Sequence, residues 1–276
     1  MSTQTEVSGP PVAGGAVPGR RTPGRTWIRT RPLLLGASSV ILLVVIWQVV
    51  TDLNLVKQIF LPTPLQVLDG LKSIFSGGAI WNDLAVSGEE FIIGLGISIA
   101  IGASLGILTG WYRAVDEFFK PIVVALNSMP QVAVIPLLIL IFGIGITPKV
   151  IVVILSCAPV ILMNTTTGVG NVDERLMRVA RSFGATDWQA IRTIVIPEVV
   201  PFFMTGLRIS IGRAIIGVVV GEIFASKAGI GNLLISASDS FNMPVMYASV
   251  IIITAIGILL TQVAAWAERR MQLWRA

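Results

Sequence analysis

NVDERLMRVARSFGATDWQAIRTIVIPEVVP, residues 171–201, is the longest charged segment lying between two long apolar runs of this chain. Leu176, Val179, Ala180 and Phe183 recur in it at helical spacing while Arg175, Arg178 and Arg181 fall on another face, the pattern of an amphipathic helix. Gly184 ends that helix, because a residue without a Cβ takes the left-handed conformation that closes a helix C-terminus. Thr186-Asp187-Trp188-Gln189 has the spacing of a capping box, so a second helix starts there with Asp187 at its cap. This helix carries Trp188, Ile191, Ile194 and Val195 and is expected to stop near Pro197. At roughly ten residues it rises only about 15 Å, too little to cross a bilayer. The expectation is a helix that lies flat against a partner.

The runs on either side set the fold class. Hydrophobic residues make up 54% of the 276 residues and charged ones 13%, with mean hydropathy +0.84. A soluble domain would show about 45–50% apolar and about 25% charged usage. The reading is an all-α polytopic membrane protein with six transmembrane helices and a helical loop at 171–201. A single cysteine, Cys157, excludes an intrachain disulfide and reads as a small buried hydrophobe. The chain has no histidine, which removes the commonest general base and metal ligand and argues against an enzyme. The net charge of +5 is ordinary for basic loops beside a bilayer and does not indicate nucleic acid.

Residues 1–31 read as a disordered tail rich in Gly, Pro, Ser and Thr, followed by a first span over 32–52. A loop over 53–83 contains LQVLDGLKSIF, whose Leu65, Leu68, Leu71 and Phe75 suggest a helix lying at the membrane boundary. Five more spans fill 84–268, with cores at Phe91–Gly110, Ile122–Phe142, Val150–Val169, Phe202–Phe224 and Val245–Ala265; 269–276 is a short tail. Arg20, Arg21, Arg25, Arg29, Arg31, Arg113, Arg175, Arg178, Arg181, Arg192, Arg269, Arg270 and Arg275 fall on one side of this arrangement. Lys57, Lys72, Lys149 and Lys227 fall on the other, and thirteen against four places both termini and the 171–201 segment in the cytoplasm.

Gly94, Gly96, Gly102 and Gly106 in the second span read as close helix packing. The third span holds Pro121, Pro130 and Pro136 with Asn127, Ser128, Met129 and Gln131, so it must bend and expose carbonyls either to protein or to an aqueous path. Arg213 and Glu222 in the fifth span, and Asn164 in the fourth, complete the candidate path. Ionisable groups at membrane depth are costly enough to suggest function. Glu222 is expected near the outer end, within snorkelling reach of water.

MPQVAVIPLLILIFGIG (129–145), MNTTTGVGNVDERLMRVARSFGA (163–185) and IVIPEVVPFFMTGLRISIGRAIIGVVVGEIFASKAGIGNLL (194–234) resemble the permease subunits of ATP-binding-cassette importers, in particular the sulfonate, taurine and nitrate branch. The family's cytoplasmic loop has a Glu-Ala-Ala start, a glycine and a later proline. Here Arg178-Val179-Ala180 stands at the first, Gly184 at the second and Pro197 at the third, so the glutamate is replaced. The resemblance implies a bacterial cytoplasmic-membrane permease that pairs with a second copy of itself, two cytoplasmic ATPase subunits and an external solute-binding protein. It implies that Gly184, Ala185, Thr186, Asp187, Trp188, Ile191 and Pro197 couple to the ATPase, with Trp188 and Ile191 as the apolar plug. The chain has no GxxxxGK[ST] phosphate loop, so it binds no cofactor of its own and ATP with Mg belongs to the partner. Two other readings compete: a membrane-embedded enzyme, which calls for converging His, Asp, Glu or Cys, and a non-transporting scaffold or signalling subunit that docks an ATPase.

Overall fold

A computed structural model describes residues 25–272, with side-chain surroundings from 35 to 271. The expected tail before Arg25, with Arg20 and Arg21, lies outside the described residues, as does Arg275. The chain divides near Val50 into two units. The described residues of the first belong to one long helix, α1 (Arg25–Asp52), apolar enough from Leu35 onward to cross a bilayer. Its start lies inside the segment read as tail.

The second unit is also helical, with no strand among the described residues. α2 (Pro64–Ser76) opens with a capping box: the Thr63 hydroxyl accepts from the Gln66 N–H, Gln66 Oε1 accepts from the Thr63 N–H, and Pro64 fills the first turn, where no donor is needed. The expected Leu65, Leu68 and Phe75 stripe is exposed. Val67, Gly70 and Ile74 are buried instead. Gly70 explains the choice of face, since a Cβ there would meet the Pro244 carbonyl oxygen at 2.6 Å.

α3 (Ile80–Trp111), α6 (Ile146–Gly170) and α9 (Ile196–Ala225) form the core, with the most extensive packing between α3 and α6 and between α6 and α9. Glycines on α3 let α6 approach closely. A Cβ at Gly94 would meet Val153 Cβ at 2.7 Å, one at Gly102 Ile161 Cβ at 2.8 Å, and one at Gly106 Thr165 Cβ at 2.5 Å. Gly96 faces open space and takes no part. These partners rise together in number, so α3 and α6 run parallel. Asn164 against Gly206 and Lys149 against Gly221 make α6 and α9 antiparallel.

Parallel neighbours need a return crossing between them, and α4 (Arg113–Ser128) with α5 (Gln131–Phe142) supplies it. The span expected as one piece over Ile122–Phe142 is instead two helices bent by 97°. Met129 precedes a proline and takes extended backbone (φ −73°, ψ 133°), which breaks the helix there. Among the described residues five helices are long and apolar enough to cross a bilayer, six with this pair taken as one span.

The helix starting after Thr186 does not stop near Pro197 as expected. α8 (Asp187–Ala190) passes through one wider π turn, Ile191–Val195, and continues into α9. A proline ring clashes with the carbonyl four residues back; the π turn, in which the Ile196 N–H bonds to the Ile191 carbonyl, opens the helix just before Pro197. α10 (Ile230–Asp239) and α11 (Met243–Gln272) close the unit.

Candidate functional site

The segment after α6 folds as a helix, a sharp turn and a second helix. Asp173 caps α7 (Glu174–Ser182) by accepting from the Arg175 N–H at 2.8 Å. Gly184 has φ +76°, and the Gly184 and Ala185 N–H groups bond back to the Arg181 and Ala180 carbonyls, each at 3.0 Å. This double closure, with its left-handed residue, is the Schellman arrangement. Thr186 rather than Asp187 caps α8: its hydroxyl accepts from the Gln189 N–H, and Gln189 Oε1 accepts from the Thr186 N–H at 2.8 Å.

No residue of α7 is buried. Its Arg178 and Arg181 line a groove of about 560 Å³ with Trp111, Tyr112 and Met177, while its Arg175 stays exposed outside it. Its apolar face is bare: Leu176 and Val179 are exposed, Phe183 is 85% exposed and Trp188 on α8 is 67% exposed. Ile191, expected beside Trp188 in a partner's groove, packs inward on Val169, Val195 and Val199. Ile191 opens the π turn, and it is partly buried while Trp188, three residues earlier, stays 67% exposed. Pro197 is exposed on the same helix.

Of the residues expected along a path, the structure brings Asn127, Gln131 and Arg213 together. Arg213, in the middle of α9, donates to Asn127 Oδ1 at 2.9 Å, and Gln131, Ser156 and Arg213 line one cleft of about 120 Å³. Ser128 and Met129 form the break beside it. Asn164 stands apart, donating to the Val160 carbonyl at 2.9 Å and packing on Gly206.

Glu222 belongs to a different cluster, nine residues and about 14 Å further along α9. It is 0% exposed and does not snorkel. Its carboxylate accepts from Ser87 Oγ at 2.5 Å and from the Gly231 N–H at 2.7 Å, at the start of α10. Next to it Lys149 pairs with Glu90, the two being 4% and 1% exposed, and Lys149 also donates to Ser226 at 3.0 Å. Asp83 accepts from the Gly229 N–H at 2.8 Å. Sequence reasoning missed this cluster. It put the core of the second span at Phe91–Gly110, beyond Asp83, Ser87 and Glu90, and counted Lys149 among the loop charges. The available signal was an acid, a base and an acid, Glu90, Lys149 and Glu222, at the same end of three successive core helices.

Residues 98–273 match the family model described as the binding-protein-dependent transport system inner membrane component. The chain belongs to that family. Among its relatives, the taurine transport system permease of Escherichia coli (strain K12) is 30% identical over 90% of this chain and 92% of that protein. A protein of Bacillus subtilis (strain 168) named for aliphatic sulfonates transport is 30% identical over 93% of this chain and 92% of its own length. In solved structures, a chain of the methionine ABC transporter MetNI in an inward-facing form shares the fold, with a TM-score of 0.54, 21% identity and coverage of 70% of this chain and 94% of that one. The permease is thus a multi-pass membrane subunit of an ABC importer that works with a separate ATPase and a solute-binding protein. ATP hydrolysis is not its own chemistry, and the scaffold and enzyme readings are not favoured.

Proposed function

We propose that the permease carries a small sulfonate-like solute inward as one of two identical copies, with the α7–α8 segment seated in a groove on a cytoplasmic ATPase that holds ATP and Mg. The observation that carries this is the bare apolar surface of Leu176, Val179, Phe183 and Trp188, presented on a pair of helices fixed by two caps and one left-handed glycine. Large apolar side chains gathered on one exposed face mark a partner surface. Gly184, Ala185, Thr186 and Asp187 set the angle between the helices, Trp188 is the anchor, and Ile191 and Pro197 act from behind it. The solute class rests on the relatives named for taurine and aliphatic sulfonates. Both termini and α7–α8 are assigned to the cytoplasm by the excess of arginine on that side.

Co-purification of the ATPase subunit with the permease, run beside solute uptake into vesicles, tests the docking. Trp188→Ala and Gly184→Val are expected to lose ATPase and uptake together, and retention of both by both variants would remove α7–α8 as the coupling element. Cysteines at Gly77 and Lys227 should react with an impermeant reagent in intact cells while one at Thr186 stays protected. Labelling of Thr186 from outside reverses the orientation.

A further inference from the structure

We propose that the cleft at the α4–α5 break is an anion-binding site, with Arg213 contacting a compact oxyanion head such as a sulfonate and the solute's short organic tail lying on the neighbouring apolar residues. The proposal rests on the transport reading above and adds the group that recognises the charge.

Arg213 sits mid-way along a helix that crosses the bilayer, where a guanidinium is costly unless it has a counter-charge or water. The described residues place no counter-charge beside it. Among the described residues no ion pair includes Arg213, while Asp69, Glu90, Glu117 and Glu268 pair with other bases. Among the described residues its hydrogen-bond partner is the neutral Asn127. Since a guanidinium has only donors, the Asn127 carbonyl oxygen must face it, which fixes its direction without neutralising it. Asn127 is therefore a positioning residue.

The same fold does supply a counter-ion elsewhere. Lys149 is fully enclosed and paired with Glu90. The contrast shows that the missing acid at Arg213 is specific to that place.

The rest of the cleft favours the same ligand. No acid lines it; Gln131 adds an amide, and the Ser156 hydroxyl proton is already committed to the Val152 carbonyl at 2.8 Å. A volume of about 120 Å³ is that of about four waters at ~30 Å³ each, enough for a three-oxygen head. Val132, Ile216 and Val220 line the remainder and suit a short aliphatic tail. The guanidinium fork matches two oxygens of such a head at once.

The test uses full-length permease in lipid nanodiscs, with Cys157→Ser to remove the native thiol and Val132→Cys to report from the cleft. Reaction rates are measured with an anionic and with a cationic methanethiosulfonate reagent, with and without methanesulfonate as competitor. The anionic-to-cationic rate ratio should fall about tenfold in Arg213→Gln and stay within about twofold of the parent in Arg213→Lys. Methanesulfonate should slow the anionic reagent in the parent and not in Arg213→Gln. A ratio unchanged by Arg213→Gln, no competition at high methanesulfonate, or no reaction with either reagent overturns the site. ATPase co-purification keeps the two readings separate. An anion-selective cleft in a permease that docks no ATPase sinks only the transport reading, whereas a docked ATPase beside a cleft without selectivity sinks only the anion site.

Discussion

The α3–α6–α9 seam and the α7–α8 pair follow opposite designs within one chain. Along the seam, glycines bring α3 onto α6 until side chains touch backbone, and Val153, Cys157, Ile161 and Ala214 are wholly enclosed. Near its end Lys149 is paired with Glu90, and the Glu222 carboxyl group is held by hydrogen bonds from Ser87 and Gly231. In α7–α8 the local backbone is equally well determined, yet Phe183 and Trp188 are left largely exposed by the chain itself. The seam buries its apolar side chains and its ion pair within one copy, although Glu90 Oε2 and Thr165 Oγ1 are enclosed there without a hydrogen-bond partner. The loop pair has well-formed ends and an uncovered face, as expected of a part whose packing is finished by another subunit.

The largest expected effect breaks the seam at its buried ion pair. Glu90→Ala leaves Lys149 enclosed without a counter-charge and should lower the stability of the purified permease by about 3–5 kcal/mol, read as melting in detergent. Glu90→Leu combined with Lys149→Met should recover most of that loss, since two apolar groups need no pairing. Melting unchanged in Glu90→Ala would mean that water reaches the pair.

Packing comes next. Gly102→Val drives a side chain into Ile161 and the Ala158 carbonyl and should cost about 1–3 kcal/mol in the same melting assay, whereas Gly96→Val, which faces open space, should melt like the parent. Equal losses at both positions would point to helix propensity and away from close approach.

The two regions should also answer to different assays. Trp188→Ala is expected to weaken ATPase retention by about 2 kcal/mol with unchanged melting, the size of a buried interface tryptophan. Ile191→Ala should do the reverse, lowering the melting temperature through the cavity it leaves among Val169, Val195 and Val199. If Ile191→Ala affected only docking, the division between inward and outward faces would fail.

A smaller change belongs to the turn. Gly184→Val places a β-branched residue at φ +76° and should cost about 1–2 kcal/mol of local strain, seen as weaker ATPase binding with the spans still inserted. Smallest of all, Arg178→Glu should shift melting by no more than about 0.5 kcal/mol and keep uptake, because its side chain is exposed beside an open groove.

What the sequence determined by itself was local or compositional. Hydropathy identified the membrane class, helical spacing identified α7, Gly184 read correctly as a left-handed stop, and the Thr186 to Gln189 spacing marked a helix start. Each of these depends on a few neighbouring residues and on preferences that any context respects. Tertiary structure decided the rest, because it depended on groups far apart in the chain. Arg213 meets Asn127 across 86 residues and Ser87 meets Glu222 across 135, so neither pairing leaves a trace in local spacing. The sequence showed that the third span had to bend at its prolines, but the 97° angle between its two halves is set in the folded structure, where α4 and α5 both pack on α6. Pro197 gave the opposite error: read locally it stops a helix, whereas packing of Val195 and Val199 into the core holds the helix together through one π turn.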